Sequence, residues 1–225
     1  MEFNIITIFP DIFKAYFKQS IIKKAEEKGI IKINIIDLRK FAGGTNFSVD
    51  DKPFGGGRGM VLKIEPIYRA VEKAKEQSGK KGKTKVVLFT PRGKRFNQKI
   101  ASNWTKMNNL ILICGRYEGV DERAAKYIAD DRISIGNYVL MGGEIPALIV
   151  VEAVSRLLPG VLGKSSKLRE ERIGQNGGFI EYPQYTRPAV FVDNSGKKWK
   201  VPKVLLSGNH KEIEEWRKKH SRTIE

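Results

Sequence analysis

The sequence predicts an α/β domain with a parallel sheet, followed by a smaller and more polar C-terminal part. Several short segments are apolar throughout, as strands are when helices cover both faces of their sheet. They alternate with longer segments whose apolar residues recur at helical spacing, which is typical of α/β folds. The alternation ends at Pro159-Gly160. We therefore predict a main domain over residues 1–160, a flexible linker over 161–178 and a small second domain over 179–225.

Strands and helices are predicted from two different sequence patterns. Strands are predicted where a short apolar run ends at a proline, a glycine or a charged residue. They cover residues 3–9, 31–38, 85–90, 110–115 and 132–135. Helices are predicted where apolar residues recur every three or four positions until a glycine or a polar segment stops the pattern. They cover about residues 11–28, 66–77, 98–107, 121–129, 146–158 and, in the C-terminal part, 209–220.

The charge of the chain indicates a polyanionic partner. Of its 225 residues, 42 are Lys or Arg and 25 are Asp or Glu, which gives a formal net charge of +17. Residues 1–159 carry 28 basic and 17 acidic side chains, and residues 160–225 carry 14 and 8, so the basicity is not confined to a tail. Nucleic acid is the expected partner of such a chain.

Cysteine content and hydropathy exclude several classes of protein. Cys114 is the only cysteine and the chain has two histidines, which argues against an internal disulfide and a zinc site. Its setting in an apolar run is typical of a buried strand residue. No run reaches the ~18 apolar residues of a membrane span, and the N-terminus has no signal-peptide pattern. We expect a cytoplasmic protein that does not bind membranes.

Three common nucleotide-binding or hydrolytic motifs are disfavoured. The first strand ends in Phe9-Pro10-Asp11 and not in the G-x-G-x-x-G of dinucleotide-binding folds. Gly163-Lys164-Ser165 matches the second half of a phosphate loop, but Leu158 stands where the first glycine is required. No G-x-S-x-G segment is present.

Glycine collects just beyond the carboxyl ends of three predicted strands. The clusters are Pro91-Arg92-Gly93, Gly115 to Gly119, and Ile135 to Gly143. In a parallel sheet that edge is where ligands bind, and glycine allows the backbone to approach a ligand closely. One such cluster is more often a tight turn, whereas three at one edge favour a ligand site. Backbone groups of these loops could bind the edge of an adenine.

Two further segments have more than one interpretation. The glycine-rich loop of residues 50–60 is either a flexible lid or a plain turn, and its Asp50 and Gly59 are candidate substrate-binding residues. Asp50 could equally cap a helix or contact Arg58. Residues 80–99 carry eight basic and no acidic side chains, which favours phosphate binding over a merely solvated face in a chain of this charge.

Motifs from residue 7 to about residue 223 resemble one family. They include VDDKPFGGGRGMV (49–61), ICGRYEGVDER (113–123), ISIGNYVLMGGEIPA (133–147) and SRLLPGVLGK (155–164), with TIFPDIF, YPQYTRP and LLSGNHKEIEEWR at the two ends. In order and length, these motifs are similar to those of the TrmD family of bacterial tRNA (guanine-N1)-methyltransferases. The resemblance covers nearly the whole chain.

The resemblance implies a SPOUT-type fold, in which the first domain closes in a deep trefoil knot and a small, mainly helical C-terminal domain binds tRNA. The family methylates N1 of guanosine 37, the nucleotide 3′ of the anticodon, as a homodimer with shared active sites. It uses S-adenosylmethionine, and Mg²⁺ is implied for activity. By resemblance the cofactor is held by Leu88, Phe89, Thr90, Pro91, Gly115, Tyr117, Glu118, Gly119, Ile135, Gly136, Asn137, Tyr138, Val139, Leu140, Gly142 and Gly143.

The resemblance also implies two catalytic groups. A carboxylate removes the proton from guanine N1, and a guanidinium stabilises the negative charge that gathers on O6. The family's arginine corresponds to Arg156. Its aspartate, in an E-D-S-F segment, corresponds to Glu171, with Glu170 as the second candidate. Arg172-Ile173 replaces the expected Ser-Phe and the segment is two residues longer, so a base elsewhere or a slow enzyme is a further alternative.

Two other functions remain open from the sequence. The chain could methylate another tRNA or rRNA nucleotide, or it could be an RNA-binding protein that has lost the catalytic base. The family usually continues past the segment that corresponds to residues 221–225, so we expect a short C-terminal domain to bind tRNA less tightly.

Overall fold

The computed structural model describes residues 1–43, 48–79, 82–162 and 179–224. The chain divides into two compact units, Met1–Ser166 and Lys167–Glu225.

A five-stranded parallel sheet forms the centre of the first unit. In chain order the strands of this unit are β1 (Glu2–Thr7), β2 (Lys32–Asp37), β3 (Asp50–Asp51), β4 (Val61–Leu62), β5 (Thr84–Arg95), β6 (Asn109–Ile113) and β7 (Asp131–Ser134). The order across the sheet is β2-β1-β6-β5-β7, while β3 and β4 form a separate antiparallel pair. The α/β class and the parallel sheet predicted from the sequence are therefore confirmed.

Helices cover both faces of this sheet because its strands alternate their side chains between two cores. Phe3 of β1 and Leu110 of β6 belong to one cluster, whereas Ile6 and Ile111 belong to the other. The helices are α1 (Asp11–Phe17), α2 (Ser20–Glu27), α3 (Ile64–Gln77), α4 (Gln98–Trp104), α5 (Glu122–Tyr127) and α6 (Glu144–Ser155), with a 3₁₀ turn at Leu38–Phe41. Helices α1, α2, α4 and α6 pack on the first cluster, and α3 and α5 on the second.

The helix predicted over residues 11–28 is two helices in the structure. The buried residues are Phe13 and Phe17 in α1 but Ile22 in α2, whereas Ile21 is exposed. A single helix would bury position 21 after 13 and 17, so the break at Lys18-Gln19 shifts the buried stripe by one residue. Spacing alone did not reveal this shift.

Strand β5 extends beyond the predicted end at residue 90. Phe89 pairs with Ile133, the chain then bulges, and Lys94 pairs with Ile133 again. Pro91 has no N–H to donate and lies in the bulge, as proline does in sheets. At Gly93 an added Cβ would come within 2.6 Å of the backbone carbon of Arg132, so a residue without a side chain is required there. The bulge brings residues 90–92 to the edge where the cavity described below opens.

The second unit contains strands as well as helices. Its described elements are β8 (Phe179–Glu181), β9 (Val190–Val192), β10 (Lys198–Lys200), α7 (Lys203–Leu206), α8 (His210–His220) and β11 (Arg222–Ile224). β8 pairs with β11 and β9 with β10, both antiparallel. Helix α8 agrees with the predicted helix, and Asn209 caps it by accepting a hydrogen bond from the Glu212 amide. Three-residue strands were not predicted because they are too short to show a period.

In the described part of the chain, no helix combines the length and the apolar character needed to cross a membrane.

Candidate active site

A cavity of about 380 Å³ opens at the carboxyl ends of β5, β6 and β7. We call its walls the first loop (residues 88–92), the second loop (115–120) and the third loop (134–143). All but two of the predicted cofactor residues line it, namely Leu88, Phe89, Thr90, Pro91, Gly115, Tyr117, Glu118, Gly119, Ile135, Tyr138, Val139, Leu140, Gly142 and Gly143. The structure thus brings residues more than fifty positions apart to one edge of the sheet, as the glycine clusters indicated.

Gly136 and Asn137 do not line this cavity. At Gly136 an added Cβ would lie 2.6 Å from Cζ of Tyr138, so the glycine makes room for a ring that does line it. The Asn137 side-chain oxygen accepts a hydrogen bond from the Arg95 guanidinium. These two residues shape the third loop and connect it to the end of β5.

The second loop turns within four residues. The amide of Gly119 donates a hydrogen bond to the carbonyl of Arg116 (3.0 Å), Tyr117 has a φ of +59°, and Gly119 has a φ of +126°. A non-glycine residue in the left-handed region is uncommon and often marks a functional site. The turn leaves the Tyr117 ring half-exposed at the cavity.

The second and third loops are fastened to each other by their backbones. The amide of Gly143 donates to the carbonyl of Gly115 at 2.9 Å, and Arg116 forms a β-bridge with Gly142. An added Cβ at Gly143 would lie 2.6 Å from Cα of Cys114. Glycine is required here because the two backbones are in contact.

The glycine-rich segment after β3 reaches the second loop. Gly59 has a φ of +84°, and a Cβ there would lie 2.6 Å from Cγ of Glu118. The Glu118 amide donates to the Met60 carbonyl (3.0 Å), which holds the two segments together. Neither of the two candidate substrate-binding residues, Gly59 and Asp50, lines the cavity. The Asp50 carboxylate accepts a hydrogen bond of 2.6 Å from the Ser48 hydroxyl.

A buried ion pair lies beside the cavity, and the sequence did not assign it a role. Glu144, the first residue of α6, accepts hydrogen bonds of 2.9 Å from Nε of Arg116 and from the Thr7 hydroxyl. Its side chain is only 1% exposed. One signal was present in the sequence, since Glu144 is an acidic residue between a glycine pair and a long apolar run.

The thiol of Cys114, beside this ion pair, is expected to be unreactive. Cys114 is buried, and this burial, followed by the negative charge of Glu144, raises the pKa of its thiol well above the usual value. Because the thiolate is the reactive form, the structure gives Cys114 a packing role at the end of β6.

Of the three predicted catalytic residues, the structure describes only Arg156. Arg156 follows directly after α6 and is exposed. Glu170 and Glu171 lie outside the described residues. Within the described ranges, no three His, Cys, Asp or Glu side chains converge as ligands of a metal ion.

Comparisons with known proteins identify the family of the chain. The family model described as tRNA (guanine-1)-methyltransferase TrmD matches residues 1–224. The tRNA (guanine-N(1)-)-methyltransferase of Dictyoglomus turgidum is 52% identical over 221 residues, which are 98% of this chain and 85% of that protein. The enzyme of the same name from Geobacillus kaustophilus is 48% identical, over 98% of this chain and 86% of its own length.

A solved structure is also similar. The crystal structure of the tRNA (m1G37) methyltransferase from Aquifex aeolicus matches with a TM-score of 0.77 and 44% identity, and the match covers 98% of this chain and 88% of that one. Together with the family model, these relatives show that the chain belongs to the tRNA (guanine-1)-methyltransferase family, TrmD.

Proposed function

We propose that this chain transfers a methyl group from S-adenosylmethionine to N1 of guanosine 37 in tRNA. The observation that carries the proposal is the cavity between the three loops, the second and third of which contain glycines, in a chain of the TrmD family. The relatives named above are tRNA (guanine-N(1)-)-methyltransferases, and the similar solved structure is an m1G37 methyltransferase. Mapping the methylated position on transcribed tRNA tests it directly, and methylation at any other atom would overturn it.

The cavity fits a nucleoside cofactor in size and in chemistry. Its volume of about 380 Å³ lies within the range of ligand pockets. Backbone N–H and C=O groups at the glycines of the second and third loops would hold the adenosine part, because glycine leaves the backbone open. When bound, S-adenosylmethionine supplies a methyl group on a sulfonium for in-line displacement. The likeness to the Aquifex aeolicus structure also supports a SPOUT-type trefoil knot in the first unit.

The chain supplies the proton transfer. We assign the general base to Glu171, or to Glu170 in its place, which takes the proton from guanine N1 and leaves N1 nucleophilic. The Arg156 guanidinium stabilises the negative charge that develops on O6. A Glu side chain has one more methylene than the family's Asp, so its carboxylate reaches further from the backbone.

Two matched variants test the base. Glu171→Gln is expected to lower the single-turnover rate by at least about 10²-fold, the usual value of a general base. Glu170→Gln is expected to lower it far less. Calorimetry with S-adenosylmethionine should give the same affinity for both variants and the native enzyme, which separates loss of the base from loss of the fold. Unchanged methylation in both variants would overturn the assignment.

We infer a homodimer from an exposed apolar surface on α1 and α6. Helix α6 is apolar over most of its surface, yet Ile145 and Ile149 are exposed on the side away from the sheet. A helix of this kind is normally buried all round. The neighbouring helix α1 adds Ile12 and Tyr16, and Tyr16 donates a hydrogen bond to Glu152 of α6. A second copy of the chain is the occupant that the family's shared active sites imply.

The oligomeric state tests this inference. Ile149→Glu should convert the dimer to a monomer in light scattering, because a carboxylate in an apolar interface is costly to bury. Ile21→Glu is the matched control, since Ile21 is equally exposed but lies on α2. A native protein that is monomeric at micromolar concentration would contradict the proposal.

We propose that the second unit binds tRNA. Its cavity of about 480 Å³ is lined by the rings of Tyr182, Tyr185 and Trp216 and by the side chains of Arg187 and Arg217. Aromatic rings with arginine are the usual surface for unpaired bases.

Because its substrate is tRNA, we expect the enzyme to act in the cytoplasm. We also propose that activity requires Mg²⁺, and loss of methylation on addition of a chelator tests this requirement.

A further inference from the structure

The carboxylate of Glu144 joins three segments that are distant in sequence. It accepts 2.9 Å hydrogen bonds from Thr7 at the end of β1 and from Arg116 in the second loop, and it belongs to the first turn of α6. A buried carboxylate is costly unless it is paired. Here a guanidinium, a hydroxyl and the N-terminal end of a twelve-residue helix all offset that cost.

Arg116 connects Glu144 to the cavity. Its side chain lies over the ring of Phe9, 4.7 Å from the centroid, and it is four-fifths buried. Its backbone accepts the hydrogen bond that closes the second loop at Gly119 and forms the bridge to Gly142. Arg116 lines the cavity, whereas Glu144 and Thr7 do not. The Glu144 carboxylate is therefore connected to the cavity through the Arg116 side chain.

The third loop packs closely against the Arg116–Glu144 ion pair. A Cβ added at Gly142 would meet the Arg116 side chain and would lie 2.6 Å from Oε2 of Glu144. The glycine therefore allows the third loop to cross directly over the ion pair.

We propose that Glu144 is a positioning residue for cofactor binding, which rests on the proposed use of S-adenosylmethionine. Its carboxylate holds Arg116, and Arg116 holds the second and third loops at the spacing that accepts the nucleoside. Glu144 touches neither the cofactor nor the guanine. Its contribution therefore appears in the affinity and the KM for S-adenosylmethionine, and far less in the rate at saturation.

Glu144→Gln is the first test, because glutamine keeps the shape and the acceptor for Thr7 but removes the charge. Calorimetry should give a Kd for S-adenosylmethionine about 10- to 100-fold above that of the native protein, the equivalent of one charge-assisted hydrogen bond. Hydrogen exchange in the ligand-free protein should be faster at the amides of residues 115–119 and 140–143. The Kd for tRNA should stay within about threefold. Glu65→Gln, an exposed first-turn glutamate on α3, should change none of these.

A double variant separates positioning from stability. Glu144→Gln alone leaves the Arg116 cation part-buried without its partner, which lowers the melting temperature. Adding Arg116→Gln removes that charge and should restore most of the melting temperature, while cofactor affinity stays weak. If affinity recovered together with melting temperature, Glu144 would have only a structural role and the proposal would be wrong.

The outcomes also distinguish this proposal from the proposed function. A native protein that does not bind S-adenosylmethionine would overturn the function itself. A native protein that binds it, with an equal Kd and equal hydrogen exchange in Glu144→Gln, would overturn the positioning role alone. Should Glu144→Gln fail to fold, Thr7→Val removes the hydrogen bond to the same carboxylate, together with the one that the Thr7 hydroxyl accepts from the Phe9 amide, without a change of charge. It should raise the Kd by a smaller factor, and an unchanged Kd would count against the proposal.

Discussion

The amide of Gly143 donates a hydrogen bond of 2.9 Å to the carbonyl of Gly115, and at this point the second and third loops of the cavity are in backbone contact. Gly143 directly precedes α6, and Gly115 follows β6 and Cys114. The contact therefore sets the distance between a strand end and a helix start. The cavity is lined by both glycines, so its width depends on this distance.

Gly143→Ala should weaken cofactor binding by about tenfold or more. Its Cβ would lie 2.6 Å from Cα of Cys114 and 3.0 Å from the Gly115 nitrogen, and backbone atoms yield only if the loops separate. Calorimetry with S-adenosylmethionine measures the effect. Gly29→Ala is the control. Gly29 has a φ of +67° and nothing within 4 Å of an added Cβ, so that variant should lose about 1 kcal/mol of stability and no affinity. Equal affinity in both variants would contradict the prediction.

Cys114 should resist thiol reagents in the folded protein. Its burial raises the pKa of the thiol, so the reactive thiolate is scarce at neutral pH, and no reagent can reach it without opening of the fold. We expect labelling by an aromatic disulfide to be complete in denaturant and at least about 10³-fold slower in native buffer. Because Cys114 directly precedes the second loop and lies against Gly143 of the third loop, a ligand bound in the cavity should slow native labelling further. Rapid native labelling would show that this edge of the sheet opens readily.

The glycine clusters indicated the edge of the sheet at which the cavity lies, because glycine leaves a local signature wherever backbones must approach closely. Gly115 and Gly143 could be assigned to one edge as soon as the strands were assumed to be parallel. The Arg116–Glu144 pair could not be predicted, since its geometry depends on which strands are neighbours and how far α6 is from β6. The break before Ser20 was missed for a related reason. A one-residue shift of the buried stripe becomes visible only when the partner surface is known.

The Tyr16–Glu152 pair predicts a change at high pH. The hydrogen bond from the phenol to the Glu152 carboxylate raises the pKa of Tyr16 to about 12, because ionisation would bring two negative charges together. The folded protein thus holds this proton more tightly than the unfolded chain does. The stabilisation is fully present below about pH 10 and is lost as the pH rises toward about 12. Tyr16 is partly exposed, so the effect on stability should be small.

Ultraviolet titration of the tyrosines checks this pKa. Tyr16→Phe should remove the component that titrates last and leave the other phenols unchanged. Glu152→Gln should lower the pKa of that component toward 10, since the neutral amide accepts the hydrogen bond without repelling the phenolate. A last component that persists in Tyr16→Phe would assign the raised pKa to a different tyrosine.

Binding of tRNA should depend steeply on salt, and Arg217 should carry part of that dependence. The net charge of +17 predicts a linear fall of log affinity with log salt concentration, whereas cofactor binding should change little. Arg217 lies over the Tyr182 ring, 5.1 Å from its centroid, in the aromatic cavity of the second unit. Arg217→Gln should weaken tRNA binding and reduce the salt slope by about one. Arg39→Gln removes the same charge from an exposed position of the first unit and should have a smaller effect. Equal losses in the two variants would mean that the charge acts as a diffuse field and that the aromatic cavity has no special part in binding.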